Sequence, residues 1–120
     1  MYDFTYRKAS SPDEAAKAFA SADDATYMAG GMTLIPTLKQ RLASPSDVID
    51  LGPASELAGI KAGGNSITIG AMTTHATVAA SADVRNTIPA LASLAGGIGD
   101  PAVRHRGTIG GSVANNDPAA

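Results

Sequence analysis

The sequence predicts an α+β fold, a compact β-α-β-α-β unit over residues 1–52 followed by a different architecture over 53–120. Three observations carry this. "SSPDEAAKAFASA" reads as a capped amphipathic helix behind a short alternating run. "ATYMAGGMTLIP" passes from a strand through two glycines into a helix. "GIKAGGNSITIGA" alternates as a hairpin does. The architecture changes near residue 52 without a linker, charge run or low-complexity tract.

Taken in order, "YDFTY" at residues 2–6 predicts a strand with Tyr2, Phe4 and Tyr6 on one face. In the first helix Ser11 caps, Pro12 takes the first helical position and Glu14 completes a capping box. Ala15, Ala18, Phe19 and Ala22 then share one face. Residues 25–29 form a strand that breaks at Gly30-Gly31, and a helix follows from about Leu34 to Leu42. Pro36 is tolerable there because first-turn amides have no intrahelical partner to lose. "DVIDL" at 47–51 closes a β-α-β-α-β unit. Beyond it lie the hairpin, with Ile67 and Ile69 on its buried face, and a helical stretch that Pro89 divides into at least two pieces. "TIGGSVA" reads as a glycine loop with no strand closing after it, which suggests part of a longer protein.

Composition removes several function classes. With 44% hydrophobic residues the chain can build a core, and with 4% aromatic residues that core rests on aliphatic side chains. Nine basic and eleven acidic residues form no basic stripe, which argues against nucleic acid. No cysteine is present, so the chain holds no disulfide, thiolate zinc site or iron–sulfur cluster of its own. Its two histidines, His75 and His105, lack the spacing of a metal site. No apolar run is long enough to insert in a membrane, and the N-terminus lacks the apolar core of a signal peptide, so the cytoplasm is the expected compartment.

The two glycine pairs are the candidate chemistry. Glycine lets main-chain N–H groups close on a ligand, and a helix start adds aligned amide dipoles, so a phosphate or pyrophosphate is the natural guest. Thr33 and Ser112 can add hydroxyl donors. The P-loop and dinucleotide fingerprints are both absent, and tight turns in a glycine-rich protein are the competing explanation. His75 reads as a capping or packing residue near a helix start, with a proton-shuttle role as the alternative. Arg104 and Arg106 are candidates to pair with phosphate, one of them facing solvent or a partner. Asp100 and Asp117 do not form a catalytic pair, Met28, Met32 and Met72 fill gaps, and no residue is assigned a catalytic or metal-ligating role.

Three motifs, A-G-G-x-[ST]-L-[IL]-P, the T-T-H after I-G-A, and V-R-x-R-G-T-I-G-G-S, occur in order over nearly the whole chain. In this the sequence resembles the FAD-binding medium subunit of molybdenum hydroxylases, the carbon monoxide dehydrogenase and xanthine dehydrogenase family. The resemblance implies the N-terminal part of a vanillyl-alcohol-oxidase-type (PCMH-type) FAD-binding domain, with FAD clasped between two α/β lobes, the first over residues 1–52 and the beginning of the second over 53–120. It implies that Tyr27, Met28, Ala29, Gly30, Gly31, Met32, Thr33 and Leu34 wrap the FAD pyrophosphate from the first lobe. Thr108, Ile109, Gly110, Gly111 and Ser112 would do so from the second, with Ile98 near the cofactor and Asn115 beside the flavin or its ribityl chain. Met32 stands where members often have a polar or aromatic residue, which alters the wall and leaves main-chain contacts intact. The family's chain is more than twice as long, so an aspartate just past Ala120, the rest of the second lobe and a C-terminal domain are missing from this sequence. The resemblance further implies an oxidoreductase component relaying electrons from an iron–sulfur small subunit and a molybdopterin large subunit through FAD to an external acceptor. The rival expectations are a truncated docking module that binds no flavin and a sensor of another nucleotide.

Overall fold

The computed structural model describes residues 1–118. Strands β1 (Thr5–Lys8), β2 (Ala25–Met28) and β3 (Asp47–Asp50) form a parallel sheet in the order β1-β3-β2. Thr5 and Ala25 both pair with Asp47, so the three strands are level and end together at Lys8, Met28 and Asp50. The central strand is the buried one, with Val48 and Ile49 sealed on opposite faces. Gly30-Gly31 follows directly from the carboxyl end of β2. In open α/β sheets that is the edge where ligands bind.

Helix α1 (Pro12–Ser21) starts as its sequence dictates. The Ser11 hydroxyl accepts the Glu14 N–H at 3.1 Å, and Pro12 occupies the first turn. The capping box is only half made, because the Glu14 carboxylate accepts from Ser10 Oγ at 2.7 Å. Ala15 buries against Ala9 and Ile49, with Ala18, Ala25 and Leu51 around them. Phe19 leaves this core: it is 43% exposed and stacks on Tyr27 with ring centroids 4.8 Å apart.

Strand β1 lies three residues later than its aromatic alternation suggests. β3 begins opposite Thr5, so residues 2–4 have no strand beside them, and Tyr2 and Tyr6 are each 48% exposed. Polar pairs fix this edge instead. The Tyr6 hydroxyl donates to Asp50, and Arg7 Nε donates to Asp47 at 2.7 Å. The hydroxyl of Ser46 and the Arg7 guanidinium hold the Asp47 carboxyl below the usual carboxylate range. Hydrogen bonding to Asp50 pushes the Tyr6 phenol up.

Helix α2 (Leu34–Lys39) is shorter than expected because a Schellman closure ends it. Arg41 N–H donates to Leu38 O and Leu42 N–H to Thr37 O, both at 3.1 Å, with Arg41 at φ 57°. A left-handed arginine is unusual there, and its guanidinium lies 5.2 Å over the Tyr2 ring.

After a 3₁₀ turn at Ser55–Leu57, β4 (Ile60–Gly63) and β5 (Ser66–Ile69) pair as the expected hairpin. Ile67 and Ile69 face a core of Val78, Val84, Ala92 and Ala95. Three helices build that core: α3 (His75–Ala80), α4 (Ala82–Thr87) and α5 (Pro89–Gly96). Ser81 ends the first and caps the second, accepting the Val84 N–H at 3.3 Å. Ile88 separates the second from the third, since a residue before proline avoids the helical region.

Two further helices correct the sequence reading. Asp100 caps α6 (Pro101–Arg106), and Thr108 caps α7 (Ile109–Asn115). The expected glycine loop 108–114 is therefore a capped helix whose first turn contains Gly110 and Gly111. Glycine disfavours helix, but the cap bond from Gly111 N–H to Thr108 Oγ1 at 3.0 Å and tertiary packing outweigh that penalty.

Ile49 and Leu94 separate core from surface. Ile49→Ala is expected to cost about 2–5 kcal/mol in urea denaturation. Leu94→Ala, at a 65% exposed position, should stay within about 0.5 kcal/mol. Equal losses at the two positions would contradict the placement of the core.

Candidate functional site

The two glycine pairs, 80 residues apart in the chain, are built against each other. A Cβ on Gly30 would lie 2.6 Å from the carbonyl carbon of Arg106 and 3.0 Å from Gly107 Cα. A Cβ on Gly111 would lie 3.6 Å from Ala29 Cβ. The end of α6 and the start of α7 thus sit directly on the turn that leaves β2. Only glycine at position 30 permits that approach.

Gly31 turns the chain into α2. Its φ of +78° is a left-handed conformation, and its carbonyl accepts the Ile35 N–H at 2.9 Å. Thr33 accepts from both the N–H and the hydroxyl of Thr37, while its own hydroxyl makes no capping bond. The main-chain N–H groups of residues 30–34 donate to no acceptor among the described residues. The first amides of a helix have no intrahelical acceptor, so this turn into α2 presents open donors, with Met32 and Thr33 at the surface. Met32 and Thr33 are exposed, and beside them Pro36, Thr37, Gln40 and Leu42 border an open groove of about 270 Å³.

The second glycine pair is satisfied within the chain. Gly110 N–H donates to Ala71 O at 2.9 Å, Gly111 N–H to Thr108 Oγ1, and Ile109 N–H to Thr73 O at 3.0 Å. Thr108 is 3% exposed and bridges to Thr74. The two segments therefore differ in kind: among the described residues the first leaves donors open, while the second spends its donors on Ala71, Thr73 and Thr108 and meets the first by close packing alone.

The other sequence-predicted positions are spread around this contact. Tyr27 points to α1, stacking on Phe19 and placing its hydroxyl 3.4 Å from Ala15 O. The Met28 sulfur would lie 3.5 Å from a Cβ on Gly31, and Leu34 is half-buried at the start of α2. Ile98 is half-buried between α5 and α6, and Asn115 is exposed at the far end of α7, about 6 Å along the axis from Gly111. Arg104 is committed to the carbonyls of Ile98 and Gly99, at 3.2 and 3.0 Å. Arg106 is exposed and its side chain has no partner among the described residues. Sequence reasoning missed the contacts made by Ala71, Thr73 and Gly107, because they are main-chain contacts across the fold.

His75 packs, as its place at a helix start suggests. It is 4% exposed, its N–H donates to Gly107 O at 3.0 Å, and Nε2 lies 2.9 Å from Ser112 Oγ. Burial pushes its pKa below the ordinary histidine value. Among the described residues no cluster of His, Asp or Glu could hold a metal ion, and no helix is long and apolar enough to cross a membrane.

The histidine shift has a sign. Below the unfolded-state value of about 6.5, the unfolded chain binds a proton that the folded ring resists, so stability falls as the pH drops through that window. Urea denaturation at neutral pH and near pH 5.5 should show the loss, and His75→Gln should flatten it. An undiminished pH dependence in the variant would contradict the assignment.

Comparison with known proteins agrees with this geometry. The profile of the FAD binding domain in molybdopterin dehydrogenase matches residues 2–120. The glyceraldehyde dehydrogenase medium chain of Sulfolobus acidocaldarius is 37% identical over 118 residues, 98% of this chain and 42% of that protein. The carbon monoxide dehydrogenase medium chain of Hydrogenophaga pseudoflava is 44% identical over 95 residues, 79% of this chain and 33% of that protein. Among solved structures, a carbon monoxide dehydrogenase of Hydrogenophaga pseudoflava superposes with a TM-score of 0.93 at 41% identity, covering 96% of this chain and 40% of that one. Quinoline 2-oxidoreductase from Pseudomonas putida 86 superposes with a TM-score of 0.94 at 37% identity, over 98% and 41% of the two chains. The chain thus spans about two-fifths of the length of such relatives. The resemblance read from the motifs is borne out, and the chain belongs to the family of FAD-binding domains of molybdopterin dehydrogenases.

Proposed function

We propose that this chain supplies the diphosphate-gripping part of an FAD-binding medium subunit in a molybdenum hydroxylase. The carrying observation is the run of N–H groups at residues 30–34 that meet no acceptor among the described residues, at the carboxyl edge of the sheet where Gly30 packs on Arg106. A diphosphate has the oxygen acceptors and the negative charge that such donors lack. The residues present therefore fit the group that the family implies.

Each part of the chain has a distinct task in this reading. The N–H groups of Gly30, Gly31, Met32, Thr33 and Leu34 donate to diphosphate oxygens, and the Thr33 hydroxyl adds a further donor. Tyr27, Met28 and Ala29 contribute the strand end that aims this turn. Thr108, Ile109, Gly110 and Gly111 buttress it, and Ser112 presents a hydroxyl beside it. Ile98 and Asn115 extend the surface toward the flavin and its ribityl chain. Residues 1–52 and 53–120 act as the two lobes that meet across the cofactor.

FAD supplies the redox chemistry, and the protein supplies binding, orientation and electrostatics. The chain has no cysteine with which to ligate an iron–sulfur cluster, and in this reading clusters on a small subunit, fed by a molybdopterin large subunit, would supply electrons to a flavin held here. The whole is an oxidoreductase component of the cytoplasm that delivers electrons to an external acceptor.

Flavin fluorescence titration tests the reading. Quenching should saturate at micromolar FAD, and Gly31→Val, which strains a +78° backbone and meets Ile35, should weaken binding about tenfold or more. Failure of the full-length subunit to take up FAD at saturation overturns the proposal and leaves the docking module. Displacement of FAD by equimolar ATP would instead favour the nucleotide sensor.

A further inference from the structure

One buried titratable side chain has no task in the reading above. His75 touches the second glycine segment at both ends, through its main-chain N–H to Gly107 O and through its ring Nε2 to Ser112 Oγ, 2.9 Å away. A Cβ on Gly107 would lie 3.2 Å from its Cδ2. Ser112 follows Gly111, which packs on Ala29, and Ser112 is itself exposed. Its hydroxyl thus joins a buried imidazole to an exposed residue, one position from the glycine that packs on Ala29 before the Gly30-Gly31 turn.

We propose that His75 is a positioning residue of the diphosphate site, setting by its protonation whether the Ser112 hydroxyl is free to donate to a phosphate oxygen. This rests on the FAD reading above. A neutral imidazole has one donor and one acceptor nitrogen, so the Ser112 O–H can be spent on Nε2. When the ring takes a proton from solvent, Nε2 only donates. Ser112 Oγ then accepts, and its hydrogen turns outward. A bound anion also favours the cationic ring by charge. Ring protonation and diphosphate binding thus strengthen each other, and binding takes up protons.

The charged groups around His75 lie on the helices packed against α3. Of the helices packed on α3, α5 carries no titratable side chain, α4 carries Asp83 and Arg85, and α6 carries Arg104, His105 and Arg106. Arg85 is held by Ala79 O at 3.0 Å, Arg104 by the carbonyls of Ile98 and Gly99, and His105 by Pro101 O at 2.6 Å. Burial displaces the titration of His75 downward.

FAD does not itself titrate between about pH 5.8 and 7.5, so its affinity across that interval reads the protein. Fluorescence titrations of the full chain should show FAD binding about threefold tighter or more at the lower pH. Calorimetry in buffers of different ionisation heat should show net proton uptake on binding. Ser112→Ala and His75→Gln should hold the change below about twofold, whereas His105→Gln keeps it. The imidazole signals of the His105→Gln protein report a single ring, whose pKa should rise when FAD binds, and this readout needs no substitution at His75. FAD affinity independent of pH, or full pH dependence surviving in Ser112→Ala, overturns the proposal. Absence of FAD binding at every pH is the separate failure of the FAD reading, and removes both.

Discussion

The structure depends on one close approach of main chain to main chain. Gly30 lies against the Arg106 carbonyl and Gly107 Cα, at a separation that no side chain at position 30 could share. Through it the carboxyl edge of the three-stranded sheet meets the α6–α7 junction. A β-carbon there would force the two segments apart, and with them the turn that carries the open N–H groups. Local stability elsewhere, such as the Ser11 cap of α1 or the Schellman closure of α2, shapes the elements without bringing these segments together.

The contact also assigns unlike roles to two similar sequences. Both Gly-Gly pairs suggest ligand cradles when read as sequence. In the fold, Gly110 and Gly111 spend their N–H groups on Ala71 O and Thr108 Oγ1, while Gly30 and Gly31 spend none among the described residues. In the proposed reading the donors left open make the first pair the grip, and the second pair packs behind it. The small residues are needed in both places, for different reasons.

Much of the fold was legible because local chemistry decides it. Ser11-Pro12, the Gly64-Asn65 turn with Gly64 at φ +56°, and the alternation of Ile67 and Ile69 each specify one outcome. Family motifs carried the fold class and the cofactor further than composition alone could. Strand β1 was misjudged because the burial of Tyr2 and Tyr6 depends on where β3 begins, which is register and not local pattern. Helix α7 was missed because two glycines argue against helix, although Thr108 three residues before Gly111 was a visible capping signal. The packing place of His75 was legible from its position at a helix start, but its Ser112 partner, 37 residues away, was not.

The central claim is that the amides of residues 30–34 hold a diphosphate, and their NMR resonances test it most directly. On addition of FAD to the full chain, the N–H signals of Gly30, Gly31, Met32, Thr33 and Leu34 should move downfield together, as donors gaining a charged acceptor. FAD binding that leaves these five signals in place and shifts another surface would contradict the account.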